Sequence, residues 1–230
     1  MKNQSRWYLF FFLTPVVLWL FLLIVLPHID LLIMSFRMEN DAGDMVWSIG
    51  NYLIFFTEPI YWATFARTAL YSILVTVLTF AIALPVSFYI THVVSPKFSG
   101  FLMLLLLLPF WVSELVRVYG WMILLRESGV INHFLVQSGI LNKPVEMLYN
   151  DVTMILGLVY TSMLFMVVPL ISVLESLDKA LIEAAFDLGA NMWIVLVRII
   201  IPHAMPGIVS GSIVVFMLPL GNYLTPNLLG

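Results

Sequence analysis

The sequence predicts an all-α protein that crosses a membrane several times, and three observations predict it. Of its 230 residues, 62% are hydrophobic and only 10% charged, whereas a soluble domain sits nearer half apolar and a quarter charged. Mean hydropathy is +1.06. The apolar residues fall in runs of about 20, the length a helix needs to cross a hydrocarbon core of about 30 Å. One helical membrane domain is expected to take in the whole of 1–230, with five spans. A net charge of -3 gives no reason to expect a nucleic-acid partner, and the absence of cysteine excludes disulfides and thiolate metal sites. His28, His92, His133 and His203 have no paired spacing, so no metal centre is expected.

Taken in order, Lys2 and Arg6 precede an apolar run from Trp7 to Leu26. It is too long for a cleaved leader and reads as the first span, with Trp7 and Tyr8 at an interface and Pro27 as its stop. Residues 28–67 form a polar connection carrying Glu39, Asp41, Asp44 and Glu58, with short interfacial helices around Tyr52–Phe56 and Tyr61–Phe65. These acids either attract a cation or form a solvated face. Thr68–Ile90 is the second span, with Pro85 as a kink and Thr76, Thr79 and Ser87 available to neighbouring helices.

A turn at Pro96 and Lys97 leads into a third span, Phe101–Leu125. A second long connection follows, in which Ser128 caps an amphipathic helix carrying Val130, Ile131, Phe134 and Leu135 and closed by Gly139. Val152–Leu174 is the fourth span, kinked at Pro169. The fifth, Ala204–Leu224, holds Gly207 and Gly211 at the spacing that lets helix backbones touch.

The third span contains the most informative polar group, Pro109–Met122. Glu114 and Arg117 lie three apart, hence on one helix face and able to pair. Each costs roughly 2.5–3.5 kcal/mol at the centre of a lipid-facing helix. They are therefore expected to face the bundle interior or a wet cavity. With Trp111, Tyr119 and Trp121 around it, a carboxylate suits an organic cation, because aromatic faces attract alkylammonium groups. An interfacial aromatic belt and a structural ion pair are the competing readings. Asn222, Tyr223 and Tyr160 complete the candidate substrate pathway.

The loop between the fourth and fifth spans is read as residues 175–202. Asp178 caps a short helix from Lys179 to Leu188, and Gly189 stands where a left-handed C-terminal cap is wanted. Ala184 and Ala185 thin its wall so that another body can approach, while Glu183 and Asp187 lie four apart on one side. By itself the segment 178–190 could also be a helix lying on the membrane surface.

These residues carry a resemblance. Glu183-Ala184-Ala185, then Gly189, Ile199 and Pro202 resemble the loop signature of membrane subunits of binding-protein-dependent ABC importers, with Ile201 where that family has leucine. The resemblance implies that 178–190 is the coupling helix, with Glu183, Ala184, Ala185, Asp187, Gly189 and Pro202 contributing to ATPase docking. The stretch from Pro109 to Met122, the region around Asn51, Tyr52, Pro59 and Tyr61, Leu177-Asp178-Lys179, and Thr225-Pro226 to Gly230 look like the spermidine/putrescine branch of that family. Glu114 is not part of that likeness; its candidacy rests on burial cost.

The resemblance implies a type I importer permease fold in an inner membrane, without a cofactor. It implies as partners cytoplasmic ABC ATPase subunits, a second permease subunit (identical or homologous), a periplasmic substrate-binding protein and a small-molecule substrate. Members of the family carry a sixth span beyond the Leu-Leu-Gly element, and five are expected in these 230 residues. The sequence has no GxxxxGK[ST] phosphate loop, so nucleotide chemistry is expected on a separate subunit. It also has no GxSxG or HExxH signature.

The N-terminus is expected in the cytoplasm. By parity that places Lys2, Arg6, Lys97, Lys179 and Arg198 inside and Arg37, Arg67, Arg126 and Lys143 outside, a slight excess in the favoured sense. Two other functions fit the sequence: an importer of the same architecture for another solute (an opine, thiamine or ferric iron), or a membrane scaffold that does not transport.

Overall fold

A computed structural model describes residues 2–40 and 43–230, with side chains described from Phe11 onward. The calls on Asp41 and on the Lys2, Arg6, Trp7 and Tyr8 side chains lie outside the described residues. The chain divides into two compact units, Met1–Ala66 and Arg67–Gly230.

In the first unit, α1 (Lys2–Leu20) passes through a π turn at Phe21–Val25 into α2 (Leu26–Ser35). Pro27 was expected to stop this helix and does not. It sits in the first turn of α2, directly after the π turn, whose wider backbone path makes room for a residue with no N–H to donate. The result is one apolar helix through Phe11–Ser35, long enough to cross a bilayer.

A small antiparallel hairpin follows, β1 (Arg37–Glu39) paired with β2 (Met45–Trp47), with Met38 opposite Val46. Gly43 turns it at φ +83°, and the Arg37 guanidinium lies 5.4 Å from the Trp47 ring. Next comes α3 (Gly50–Thr57). Asn51 fastens α3 to the hairpin by donating to the carbonyls of Ser35 (3.1 Å) and Arg37 (2.8 Å). The sequence suggested two interfacial helices here. The first is α3, but Tyr61–Phe65 is already part of α4 (Pro59–Phe88), which begins about two turns before the expected Thr68.

The second unit holds the packed bundle. α4 continues through a π turn at Tyr89–Val93, giving a span of Pro59–Val93. The third span is not the single helix expected. α5 (Pro96–Leu107) runs into a 3-10 turn at Leu108–Trp111, the chain breaks, and α6 (Glu114–Leu125) starts again, with a bend of 93° between the two segments. Pro109 in the turn removes a helical donor, and Val112 and Ser113 take extended backbone conformations.

α7 (Val130–Gln137) is the expected amphipathic helix. Gly129 rather than Ser128 stands at its start, and Gly139 closes it at φ +74°. α8 (Asp151–Leu174) is the fourth span, capped by Asn150, whose side chain accepts from the Thr153 N–H. α9 (Lys179–Asp187) follows. α10 (Met192–Val195), a π turn at Leu196–Ile200 and α11 (Ile201–Gly221) then form one span of Met192–Gly221. Pro202 therefore lies inside this span and not in the loop. As at Pro27, the π turn immediately before it relieves the missing hydrogen bond. The short α12 (Leu224–Leu229) comes last.

The core is the face shared by α8 and α11, with Met166, Leu170, Ala204 and Val215 fully buried. Gly207 and Gly211 permit it: a Cβ on Gly207 would stand 2.8 Å from the Pro169 carbonyl oxygen, and one on Gly211 would stand 2.8 Å from the Met166 sulfur. α4 adds Val75, Ala83 and Leu84. Of the three α4 hydroxyls expected to serve neighbouring helices, Ser87 reaches across to the Val167 carbonyl (3.4 Å), whereas Thr76 turns back to its own helix at Ser72 (2.7 Å). Thr79 is buried without a partner.

Candidate functional site

Two groups of residues stand out, one around α9 and one around the start of α6. Asp178 caps α9 as the sequence suggested, its carboxylate accepting from the Ala180 N–H at 2.9 Å. At the other end Gly189 takes φ +82°, and the Ala190 N–H reaches back to the Ala185 carbonyl at 3.0 Å. This closes the helix in the left-handed form that favours glycine.

Ile182 is the buried residue of α9 and, with Leu177 just before the cap, anchors it to the bundle. Leu181, Glu183, Ala184, Phe186, Asp187 and Leu188 are exposed, and Ala185 half-buried. Leu188 is 89% exposed. A helix lying outside the spans thus turns an apolar patch with two acids away from its own bundle. Of the candidate docking residues, Glu183, Ala184, Ala185, Asp187 and Gly189 share this element and its cap. Pro202 does not, being in α11.

The root of α9 is also tied to two spans. The His92 Nε2 donates to the Leu177 carbonyl (3.1 Å), and the Lys179 ammonium donates to the His92 carbonyl (3.0 Å). The His203 Nε2 donates to the Ser176 hydroxyl (3.0 Å), which itself donates to the Val173 carbonyl (2.7 Å). The sequence reading did not single out His92, Ser176 and His203 for any role. Their only signal was polarity at the ends of spans, which interfacial residues share.

At the start of α6 the expected Glu114–Arg117 pair does not form. The Asn222 amide donates to Glu114 Oε1 at 2.6 Å, while Asn222 Oδ1 accepts from the Thr225 N–H at 3.0 Å. One side chain thus caps the start of α12 and holds the Glu114 carboxylate. The pair fails because Glu114 is the first residue of α6, on the lip of the break, where its side chain faces the α11–α12 corner.

The Arg117 guanidinium instead lies 5.5 Å from the Phe110 ring, and its Nε is buried without a partner. Arg117 and Tyr160 line one cavity of about 210 Å³, with Ile82, Pro109 and Met163. Trp111 is 87% exposed, on the far side of the break. Trp121 packs edge-on against Tyr160 at 5.6 Å. Tyr119 and Tyr223 are exposed. Glu114 therefore meets Asn222, while Arg117 and Tyr160 share the lining of one cavity.

Asn132 escaped the sequence reading. It is fully buried, donates to the Arg126 and Val145 carbonyls and accepts from the Val145 N–H, each at 2.9 Å. It pins the connection between α7 and α8 to the C-terminal end of α6.

No family model matches the chain. Among curated proteins it is 34% identical to the spermidine/putrescine transport system permease protein PotB of Salmonella typhimurium, over all of this chain and 80% of that one. The PotB of Escherichia coli is also 34% identical, over 95% of this chain and 79% of its own. This chain belongs to the PotB family of ABC-importer permeases. A PotB-family permease has to show the importer fold, and it does. The crystal structure of a bacterial ABC transporter involved in the import of the acidic polysaccharide alginate superimposes with a TM-score of 0.73, at 21% identity, over 95% of this chain and 76% of that one. The protein is thus an all-α transport permease of the ABC type, not an enzyme.

Proposed function

We propose that this permease carries polyamines of the spermidine/putrescine type across an inner membrane. The observation that carries the reading is 34% identity, over 95% or more of this chain and about four-fifths of each relative, to permeases named for that transport. The same observation favours it over an opine, thiamine or iron importer and over a scaffold.

The N-terminus lies in the cytoplasm, and α9 is the coupling helix, seated in a groove of a separate ATPase that hydrolyses ATP. Its exposed apolar patch and the acids Glu183 and Asp187 support this seat, because a helix with such a face outside the spans needs a partner to cover it. Glu183, Ala184, Ala185, Asp187 and Gly189 form the docking knob, and Pro202 serves it from within α11. A periplasmic protein delivers the solute, and a second permease subunit completes the pore.

Along the pathway, Glu114 supplies the negative charge that a polyammonium chain needs, and Asn222 keeps its carboxylate oriented. Trp111, Tyr119 and Tyr223 offer exposed ring faces to the alkylammonium groups. Arg117 and Tyr160 form the wall behind the break.

The test is uptake of labelled spermidine and putrescine in a host lacking other polyamine importers, with the permease co-expressed with its ATPase and binding protein. Uptake of either supports the reading, and its absence from an assembled, ATP-hydrolysing complex refutes it. Glu114→Gln should abolish most of that uptake with assembly intact; normal uptake removes Glu114 from the pathway.

A further inference from the structure

We propose that His92 and Lys179 form a two-bond strap that makes the cytoplasmic end of α4 move with the root of α9, and that His92 is a positioning residue for coupling. The inference rests on α9 being the coupling helix.

The strap is reciprocal. The His92 side chain bonds the backbone of the α9 root at Leu177, and the Lys179 side chain bonds the backbone of the α4 end at His92. A single hydrogen bond between two segments leaves a hinge. Two bonds running in opposite directions oppose both separation and twisting.

Each bond also meets a local need. His92 lies in the π turn that ends α4, where the last carbonyls of a helix have no partner along the chain. Lys179 supplies one, with a charge that suits a helix C-terminus. Leu177 is 5% exposed, so its carbonyl has little access to water and needs the imidazole donor.

The His92 ring is held at a fixed angle. Phe88 stacks on it, with centroids 4.9 Å apart and planes 5° from parallel, and Thr91 Oγ1 lies 2.7 Å from Nδ1. Nothing comparable holds the outer face of α9, which is exposed. A push on that face therefore passes to α4 through the strap and to α11 through His203 and Ser176. The chain itself carries it to α8.

The test uses the full complex of permeases, ATPase and binding protein in proteoliposomes, comparing His92→Ala, His92→Gln and Lys179→Met. The readout is solute transported per ATP hydrolysed, beside ATPase retention and the hydrolysis rate. In His92→Ala the ATPase stays bound and active while transport per ATP falls by about fivefold or more, the lower end of ordinary coupling energies. His92→Gln restores an N–H for Leu177 and recovers most of the ratio, and Lys179→Met shifts it in the direction of His92→Ala. A parental ratio in His92→Ala, or glutamine no better than alanine, overturns the strap.

Should His92→Ala fail to assemble, the parental complex decides. The chain has no cysteine, so spin labels at Val93→Cys and Ala180→Cys, both exposed positions, report on these two segments alone. Their separation is to remain the same with and without trapped ATP; a change between the two states overturns the proposal. Loss of the ATPase from the parental complex would instead refute the coupling-helix reading, leaving the two failures distinguishable.

Discussion

Gly207→Ala tests the contact on which the bundle is built. The new methyl would stand 2.8 Å from the Pro169 carbonyl oxygen and 3.2 Å from its carbon. Both are backbone atoms of α8 and cannot rotate away. Reaching ordinary contact needs a retreat of about 0.6 Å, and a gap of 0.5–1 Å forfeits roughly a quarter to a half of each van der Waals well. A buried side chain makes about 50 such contacts of ~0.1 kcal/mol, so loosening the fully buried Met166 and Leu170 costs about 2.5–5 kcal/mol. Alanine returns about 0.5–1 kcal/mol over glycine within a helix, for a net loss of about 1.5–4.5 kcal/mol.

Gly211→Ala should cost less, because its nearest obstacle at 2.8 Å is the Met166 sulfur, on a flexible side chain. Gly120→Ala is the control: it is also in a helix, and nothing lies within 4 Å of its added methyl. The assay is reversible unfolding in mixed micelles titrated with a denaturing detergent, followed by circular dichroism. If Gly207→Ala unfolds no earlier than Gly120→Ala, the account of α8–α11 packing is wrong.

Three further outcomes are expected. Gly189→Val places a β-branched residue at φ +82°, at a cost of roughly 1–2 kcal/mol, and should uncouple ATP hydrolysis from uptake; unchanged uptake by an assembled complex would remove this cap from the docking element. Asp178→Ala removes the N-cap of α9 at a cost of about 1 kcal/mol, which faster amide exchange across Lys179–Ile182 should reveal. Asn132→Ala leaves the Val145 N–H and two carbonyls without their partner, costing about 1–3 kcal/mol, and should open residues 138–150 to protease; parental resistance would mean another contact holds that connection.

Much of the architecture could be read from residue order alone. The α8 span falls within a residue of its expected start, because an apolar run bounded by Asn150, a capping residue, and the polar Glu175-Ser176 pair leaves little freedom. α9 was equally legible, since Asp178 and Gly189 mark its ends by local chemistry. Prolines misled in both directions. Pro27 was taken as a stop and Pro202 as the end of a loop, yet a π turn carries the helix past each. Pro109 was read inside a continuous span, yet there the helix breaks. The chain's punctuation is the same in all three places, and only the neighbouring backbone tells them apart.

The candidate site divides along the same line. Local composition was enough to mark Glu114 as a costly charge needing shelter and α9 as a knob. It could not pair Glu114 with Asn222, because that contact joins residues 108 positions apart and exists only once the break in the third span has turned Glu114 toward the α11–α12 corner.

The sequence by itself determined the class of protein, four of its spans and the ends of α8 and α9, because desolvation cost and backbone capping act on a residue and its near neighbours. The tertiary structure alone decided which polar groups meet. Glu114 leaves Arg117 for Asn222, and His92 and Lys179 reach across from α4 to α9, because a hydrogen-bonding group sheltered from water takes whichever partner the packing of distant helices brings within 3 Å or so.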